Sequence, residues 1–229
     1  MEYLPKGLTL ELTPGAFPLS TDSMVLSHFA RLPKNARVLD LGSGCGTLGL
    51  LLCARDPRCT VTGVELDERA HFAALSNIEN NSLQSRMNSI CTDLRSFSHG
   101  LSTELYTLCV SNPPYFTGGP ASGTSPLARR DDCCSSDDLF ATASRCIQFG
   151  SDFYLVHKPD KLAQLCACAV KNSLEPKRLR LIRHHSGAEV SMILLQCRKG
   201  AKPGLVWEEM CLFDHSGVPT EHYKRIYHL

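Results

Sequence analysis

The spacing of apolar residues changes along the chain, and each change marks an element. Leu8–Leu12 alternates loosely and reads as a short strand, after which Pro14, Gly15 and Pro18 break the chain. Apolar residues then recur at helical spacing over Met24–Leu32, with Thr21 or Asp22 as candidate N-cap and Pro33 as the stop. Arg37–Leu41 is a short apolar run that ends at Gly42, the pattern of a buried strand entering a glycine turn. The same reasoning predicts a helix over Thr47–Arg55 and a strand over Thr60–Val64 with Glu65 at its end. A helix over Glu68–Asn80, a strand over Met87–Cys91 ending near Asp93, and a strand over Tyr106–Ser111 ending at Asn112 follow. A polar stretch, Thr117–Ser136, is long enough to suggest a working loop. Beyond it the pattern predicts a helix (Asp137–Gln148), a strand (Phe153–His157), a helix (Asp160–Asn172) and strands at Arg178–Arg183 and Val190–Cys197. Leu205–Phe213 is compatible with one more strand, and the last sixteen residues show no clear period.

This alternation predicts an α/β fold: a doubly wound, mostly parallel, seven-stranded Rossmann-like sheet. Residues 1–36 form a short N-terminal extension and residues 37–229 the sheet domain, together one structural domain. Ligands of such sheets bind beyond the carboxyl ends of the strands, where the strand order reverses. Gly42–Gly46, Glu65, Asp93 and Asn112–Tyr115 all follow strand ends, which makes them candidates for one site.

Composition narrows the class without naming it. With 43% apolar and 21% charged residues in 229, the chain has the make-up of an ordinary globular protein. No apolar run approaches the roughly 20 residues that span a bilayer, and Met1–Leu12 lacks a basic-then-apolar leader, so a cytoplasmic protein is expected. A net charge of +1 means that binding to nucleic acid would need a local patch. Most of the 12 cysteines, among them Cys53, Cys91, Cys109, Cys166, Cys168 and Cys197, sit in apolar runs, where Cys acts as a small hydrophobe. Cys133-Cys134 lies in a polar stretch instead. There is no pair of C-x-x-C knuckles and no metal spacing among the histidines, so no metal is expected. A monomer is expected.

Gly42-Ser43-Gly44-Cys45-Gly46 is spaced G-x-G-x-G, and Thr47 stands where the dinucleotide fingerprint needs its third glycine. The glycines allow a close backbone approach to a ligand, and the following helix offers unpaired N–H groups to an anion. Glu65, 23 positions after Gly42, can accept two ribose hydroxyls, and Asp93 can face an adenine amino group. Asp40 either orients the loop or touches a cofactor amine. The alternative is a tight strand–helix turn with no ligand, which the two acids at successive strand ends argue against.

Asn112-Pro113-Pro114-Tyr115 follows the fourth strand of the sheet directly. Two prolines fix φ and remove two N–H donors, so the backbone there can only accept hydrogen bonds. Such a pocket suits an –NH2 group on a planar system. The Asn112 side-chain oxygen and the Pro113 carbonyl could each take one N–H, which aims the nitrogen lone pair and stabilises developing positive charge. Tyr115 can stack on a planar substrate. A rigid turn is the bland alternative.

These residues resemble class I S-adenosylmethionine-dependent methyltransferases of the branch that methylates amino groups. The likeness extends through Phe17–Leu26, Val38–Gly46, Asn112–Phe116, Leu155–Pro159, Leu174–Arg180 and Arg198–Gly204, which look like the bacterial tRNA(Val) adenine-N6 methyltransferase family. The resemblance implies S-adenosylmethionine held by Thr21, Asp22, Asp40, Gly42, Ser43, Gly44, Gly46, Glu65, Leu66, Asp93, Leu94 and Asn112. It implies catalysis by Asn112, Pro113, Pro114 and Tyr115 on an adenine of tRNA. Tyr115 and Phe116, with Arg129 and Arg130 in a segment matching the family's post-motif loop, would meet the RNA. The stretch around Cys133-Cys134 departs from that family.

Lys177, Arg178, Arg180, Arg183, His184 and His185 cluster in sequence, with Arg198, Lys199 and Lys202 further on. Two readings are open: a phosphate-contacting patch for RNA, with Lys177, Arg178, Arg180 and Lys199 foremost, or a solvated strand edge. A protein glutamine-amide methyltransferase is the main rival function, because an amide offers the same –NH2; the known enzymes of that type carry an N-terminal helical domain, and only about 36 residues precede the first core strand here. Guanine-N2 or DNA adenine methylation are further enzymatic options, and a cofactor-binding scaffold without activity is the non-enzymatic one.

Overall fold

The computed structural model describes residues 1–12, 20–97, 105–113 and 135–227. Pro114, Tyr115, Phe116, Arg129, Arg130 and the Cys133-Cys134 pair lie outside them.

Two short strands, β1 (Glu2–Tyr3) and β2 (Thr9–Leu10), pair antiparallel ahead of helix α1 (Thr21–Phe29). The N-cap of α1 is Ser20, not Thr21 or Asp22, and its hydroxyl accepts from Ser23 N. The core then alternates β3 (Arg37–Leu41), α2 (Thr47–Arg55), β4 (Thr60–Glu65), α3 (Glu68–Asn80), β5 (Met87–Cys91), α4 (Leu94–Phe97) and β6 (Tyr106–Ser111). The second half comprises α5 (Ser136–Cys146), β7 (Ile147–His157), α6 (Leu162–Lys171), β8 (Leu174–Arg183), β9 (Val190–Lys199), β10 (Val206–Cys211) and α7 (Glu221–Tyr227).

The main sheet has eight strands in the order β10-β8-β9-β7-β6-β3-β4-β5, so the optional strand after Leu205 is present and pairs parallel with β8 at the edge. From β3 to β7 neighbours are parallel, while β9 runs antiparallel to both β7 and β8. Strand order reverses between β3 and β6, so the carboxyl ends of these two strands flank the crevice.

Side-chain alternation divides the core into two layers. Val38, Leu108 and Val110 face one layer with Met24, Val25, Leu26 and Phe29 of α1 and Leu50–Leu52 of α2. Leu39, Leu41 and Cys109 face the other with Phe140 and Ala143 of α5 and Leu165 and Ala169 of α6. Each fully buried side chain of this size stabilises the fold by roughly 1.5–3 kcal/mol. The helix expected through Gln148 stops at Cys146, because Ile147 already pairs with Tyr106 and opens β7. The residues after Phe213, which had no readable period, carry α7, and its Ile226 packs into the first layer. Among the described residues no helix is long and apolar enough to cross a membrane.

Candidate active site

The glycine loop is built from β3 outward. Gly42 N and Ser43 N both donate to Val64 O (2.9 and 3.1 Å), which ties the loop to the end of β4. Gly42 and Gly44 have φ of +72° and +54°, with open space where a Cβ would point. Any other residue there would be strained, and its side chain would occupy the hollow. Gly46, also left-handed, is the N-cap of α2, so the free N–H groups of that helix face the same crevice.

Two further residues hold the loop. Glu65 accepts from Gly44 N through Oε2 (2.7 Å) and from Leu66 N and Asp67 N through Oε1 (both 2.8 Å). Asn77 of α3 is almost fully buried; its Nδ2 donates to Cys45 O (3.0 Å) and Glu11 O (2.9 Å), and its Oδ1 accepts from Glu11 N (2.7 Å). Asn81 holds Thr9 in the same two-way fashion. Neither asparagine stands out in sequence, where they look like ordinary polar positions late in a helix.

Two buried polar atoms lack a partner in this region, Asp40 Oδ2 and Ser43 Oγ. Asp40 is 1% exposed. Burial, and then the charge of Glu65, push its carboxyl up to about 7, while the Gly49 N–H near the start of α2 pulls the other way. Ser43 Oγ seats against Gly63, where a Cβ would come within 2.6 Å of it, so a glycine in mid-strand makes room for the hydroxyl. Leaving such groups unpaired is costly in a fold with no ligand and sensible in one that receives hydrogen-bonding groups.

Asp93 follows β5. Its Oδ1 accepts from Arg95 N (2.8 Å) and Nε (3.0 Å), and this side-chain bond to Arg95 is the main reason its carboxyl lies below the usual range. Leu66, 47% exposed, follows Glu65 at the neighbouring strand end, and half-buried Leu94 opens α4. Asp40, the glycine loop, Glu65, Leu66, Asp93 and Leu94 therefore follow or end strands on one edge of the sheet.

Asn112 extends from the end of β6 on that edge. Ser111 Oγ donates to Leu41 O (2.7 Å), locking the end of β6 to the end of β3. Asn112 Nδ2 donates to Ser23 Oγ of α1 (2.9 Å), and no described residue donates to Asn112 Oδ1. Pro113 is buried. Thr21, also of α1, accepts from Tyr227 Oη at 3.2 Å, so α7 braces the same helical turn.

The basic cluster does not assemble as a patch. Arg178 Nη2 donates to Phe29 O (2.9 Å), its guanidinium lies 3.9 Å from the Phe29 ring centre, and it pairs with Glu208 at 3.3 Å. Its side chain is only 11% exposed. Arg180 pairs with Glu208 (2.8 Å), Arg183 with Glu209 (3.3 Å) and Arg198 with Asp152 (2.8 Å). Lys177 Nζ donates to Lys202 O, and Lys199 Nζ to Ile147 O, both at 3.0 Å. Strand register adds a geometric reason. Lys199 lies opposite Leu174 and Arg198 opposite Asp152, whereas Arg183 lies opposite Val190 and His157 opposite Ile193. Through β7 and β9, Ser111 is level with Leu155, Leu195 and Leu179, so Arg198 and Lys199 lie toward the opposite ends of the strands from Asn112, whereas Arg178 is level with Val110 and Lys177 lies just before it.

Glu65→Ala removes an acceptor from three N–H groups at once. Titration calorimetry with S-adenosylmethionine should show affinity reduced at least about tenfold, the equivalent of one charge-assisted hydrogen bond. Unchanged affinity would show that Glu65 only braces the loop.

The sequence profile of the methyltransferase small domain family matches residues 20–162. A tRNA1(Val) (adenine(37)-N6)-methyltransferase of Photobacterium profundum is 27% identical over 201 residues, 86% of this chain and 84% of the relative. One of Bacteroides fragilis is 30% identical over 182 residues, 79% and 76% of the two chains. Among solved structures, a predicted O-methyltransferase from Agrobacterium tumefaciens superposes with a TM-score of 0.76 at 21% identity, over 91% of this chain and 96% of that one. A geranyl diphosphate methyltransferase in complex with SAM superposes with a TM-score of 0.56 at 13% identity, covering 77% and 84%. These two carry the likeness of fold alone. With the profile covering more than half of the chain, and with the strand-end acids and glycine loop on one edge, the protein belongs to the methyltransferase small domain family and is an S-adenosylmethionine-dependent methyltransferase.

Proposed function

We propose that this enzyme methylates the exocyclic N6 amino group of an adenine in tRNA, in the anticodon loop. The observation that carries the reading is Asn112. Its amide nitrogen is engaged by Ser23, and its oxygen is left as an acceptor at the end of β6, beside the glycine loop. The names of the Photobacterium and Bacteroides relatives, which are aligned over most of the chain, support adenine and tRNA as the target.

The residues present fit S-adenosylmethionine. Asp40 Oδ2, buried and unpartnered, suits the ammonium of the cofactor's amino-acid end, and the N–H groups where α2 begins suit its carboxylate. Glu65 would take the ribose hydroxyls, with Asp93 and Leu66 on the adenine side. The cofactor supplies an electrophilic methyl group on a sulfonium. The protein's part is positioning. Asn112 Oδ1 and the Pro113 carbonyl accept the two N–H bonds of the target amine, turn its lone pair out of the ring plane and stabilise the positive charge that develops on nitrogen. Its surplus proton can leave to water after transfer, so no side chain with a tuned pKa is needed. Pro114 and Tyr115 complete the pocket in this reading, with Tyr115 and Phe116 stacking on the base and Arg129 and Arg130 meeting phosphate.

In this reading Arg178, Arg180, Lys177 and Lys199 serve the fold rather than the RNA: the two arginines pair with Glu208, and the two lysines donate to the carbonyls of Lys202 and Ile147. Of the basic cluster, the exposed His184 and His185 sit at the β8–β9 turn on the Asn112 edge, with His184 stacked on Phe213 at 4.7 Å. An anticodon loop presents its bases with little unstacking cost, which removes most of the work of extruding the target. Mass spectrometry of nucleosides from total tRNA, with and without the protein, should show N6-methyladenosine only where the protein is present. Transfer of radiolabelled methyl to protein alone would replace this reading with glutamine-amide methylation.

A further inference from the structure

We infer that Ser23 is a positioning residue for the reaction: it holds the amide nitrogen of Asn112 and so leaves the amide oxygen toward the substrate. This rests on the proposed role of Asn112 as acceptor for an amino group.

A primary amide has two ends of nearly equal shape and opposite hydrogen-bonding character. With Oδ1 toward the substrate, Asn112 accepts an N–H. Turned by half a rotation it would present NH2 to NH2, two donors facing each other, and the site would repel the group it has to hold. Something must therefore hold the nitrogen end. Ser23 Oγ is placed to do so, accepting from Asn112 Nδ2 at 2.9 Å across 89 residues of sequence. No described residue competes by donating to Oδ1.

The support is rigid. Ser23 is 6% exposed and stands in the first turn of α1, where its backbone N–H is held by Ser20 Oγ. Ser20 also donates its own hydrogen toward Ser23 Oγ (3.4 Å). That contact leaves the Ser23 oxygen as a shared acceptor. The turn is braced by Tyr227 on Thr21, and further along α1 Arg55 donates to the carbonyls of Ser27 and Ala30. Phe29 at the end of α1 meets the Arg178 guanidinium over its ring and Tyr154 in a T-shaped contact, 5.7 Å between ring centres. A hydroxyl on such an element holds its partner within the few tenths of an ångström that positioning demands. Thr21 and Asp22, the sequence candidates in this turn, immediately precede the residue that touches Asn112.

Loss of one neutral hydrogen bond corresponds to about a tenfold effect. Ser23→Ala should lower kcat for methyl transfer about tenfold with KM for S-adenosylmethionine unchanged, and Ser23→Thr, which keeps the hydroxyl, should restore most of it. A second readout needs no turnover. By NMR of the cofactor-free protein, the Asn112 side-chain NH2 should exchange with solvent about tenfold faster in Ser23→Ala than in the wild type. Wild-type kcat in Ser23→Ala, or no change in amide exchange, would overturn the inference. So would a fall in kcat that Ser23→Thr does not relieve although calorimetry shows it still binds cofactor normally. Asn112→Ala separates the two levels: if it is strongly slowed while Ser23→Ala is fully active, only the role of Ser23 fails; if Asn112→Ala itself keeps the wild-type rate, the acceptor reading fails with it.

Discussion

Asn112→Ala should lower the rate of methyl transfer about 100- to 1,000-fold while leaving the affinity for S-adenosylmethionine nearly unchanged. The side chain occupies the end of β6 on the crevice edge and, among the described residues, makes one hydrogen bond, to Ser23 Oγ. Its removal costs the folded state on the order of 1 kcal/mol. The strand end is held independently by Ser111 Oγ on Leu41 O. What the variant loses is the acceptor that turns the amine lone pair toward the methyl group and meets the charge developing on nitrogen. Groups of this kind, aimed at transition-state charge, are worth about 100- to 1,000-fold in kcat. Single-turnover methyl transfer to tRNA, beside calorimetric titration of the cofactor, checks both halves. A variant that transfers at the wild-type rate would sink the mechanism; one that loses the cofactor too would mean that Asn112 belongs to the cofactor pocket first.

Asp40 carries the second large effect. An ordinary aspartate in the unfolded chain titrates near 3.8, and in the folded protein Asp40 titrates at about 7. Between those values the folded state holds a proton that the unfolded state has released, so folding stability falls as pH rises through this window and the loss is complete above about 7. The shift corresponds to about 4 kcal/mol. The cofactor-free protein should therefore melt at a lower temperature at pH 8 than at pH 5, and Asp40→Asn should flatten that slope, because an amide cannot be charged. S-adenosylmethionine, whose ammonium would pair with the ionised carboxylate, should raise the melting temperature of the wild type more at pH 8 than at pH 6, and should do so less in Asp40→Asn. A slope that survives the substitution would place the titrating group elsewhere.

The elements that were legible share one property: their signals are local. A period of two or of 3.6, a proline stop or a glycine turn is decided within a few residues, so β3 to β6 and α2 and α3 could be placed to within a residue or two. The glycine loop, Glu65, Asp93 and Asn112 were legible as a set because a doubly wound sheet brings successive strand ends to one edge, whatever the details of packing. The α1 cap was misplaced by one or two residues, since Ser20, Thr21 and Asp22 are all good capping residues and only the entry path of the chain selects among them. The basic cluster stayed open between two readings for a different reason. Alternation puts Arg178 and Arg180 on a strand, but alternation does not say that α1 lies over them or that β10 brings Glu208 alongside.

The sequence by itself determined the order of elements, the class of sheet, and the edge at which glycines, acids and Asn112 meet. Only the tertiary structure decided which polar side chains are spent on the fold and which are left for a ligand. Arg178 reaches Phe29 across 149 residues, Asn77 reaches the glycine loop across 32, and Ser23 reaches Asn112 across 89. Such pairings depend on how elements dock, and one residue type serves either purpose. A buried aspartate with one oxygen unpartnered and a buried asparagine with every group satisfied are both single polar letters in an apolar stretch. Packing alone distinguishes Asp40, with one buried carboxyl oxygen left without a partner, from Asn77, whose hydrogen bonds are complete.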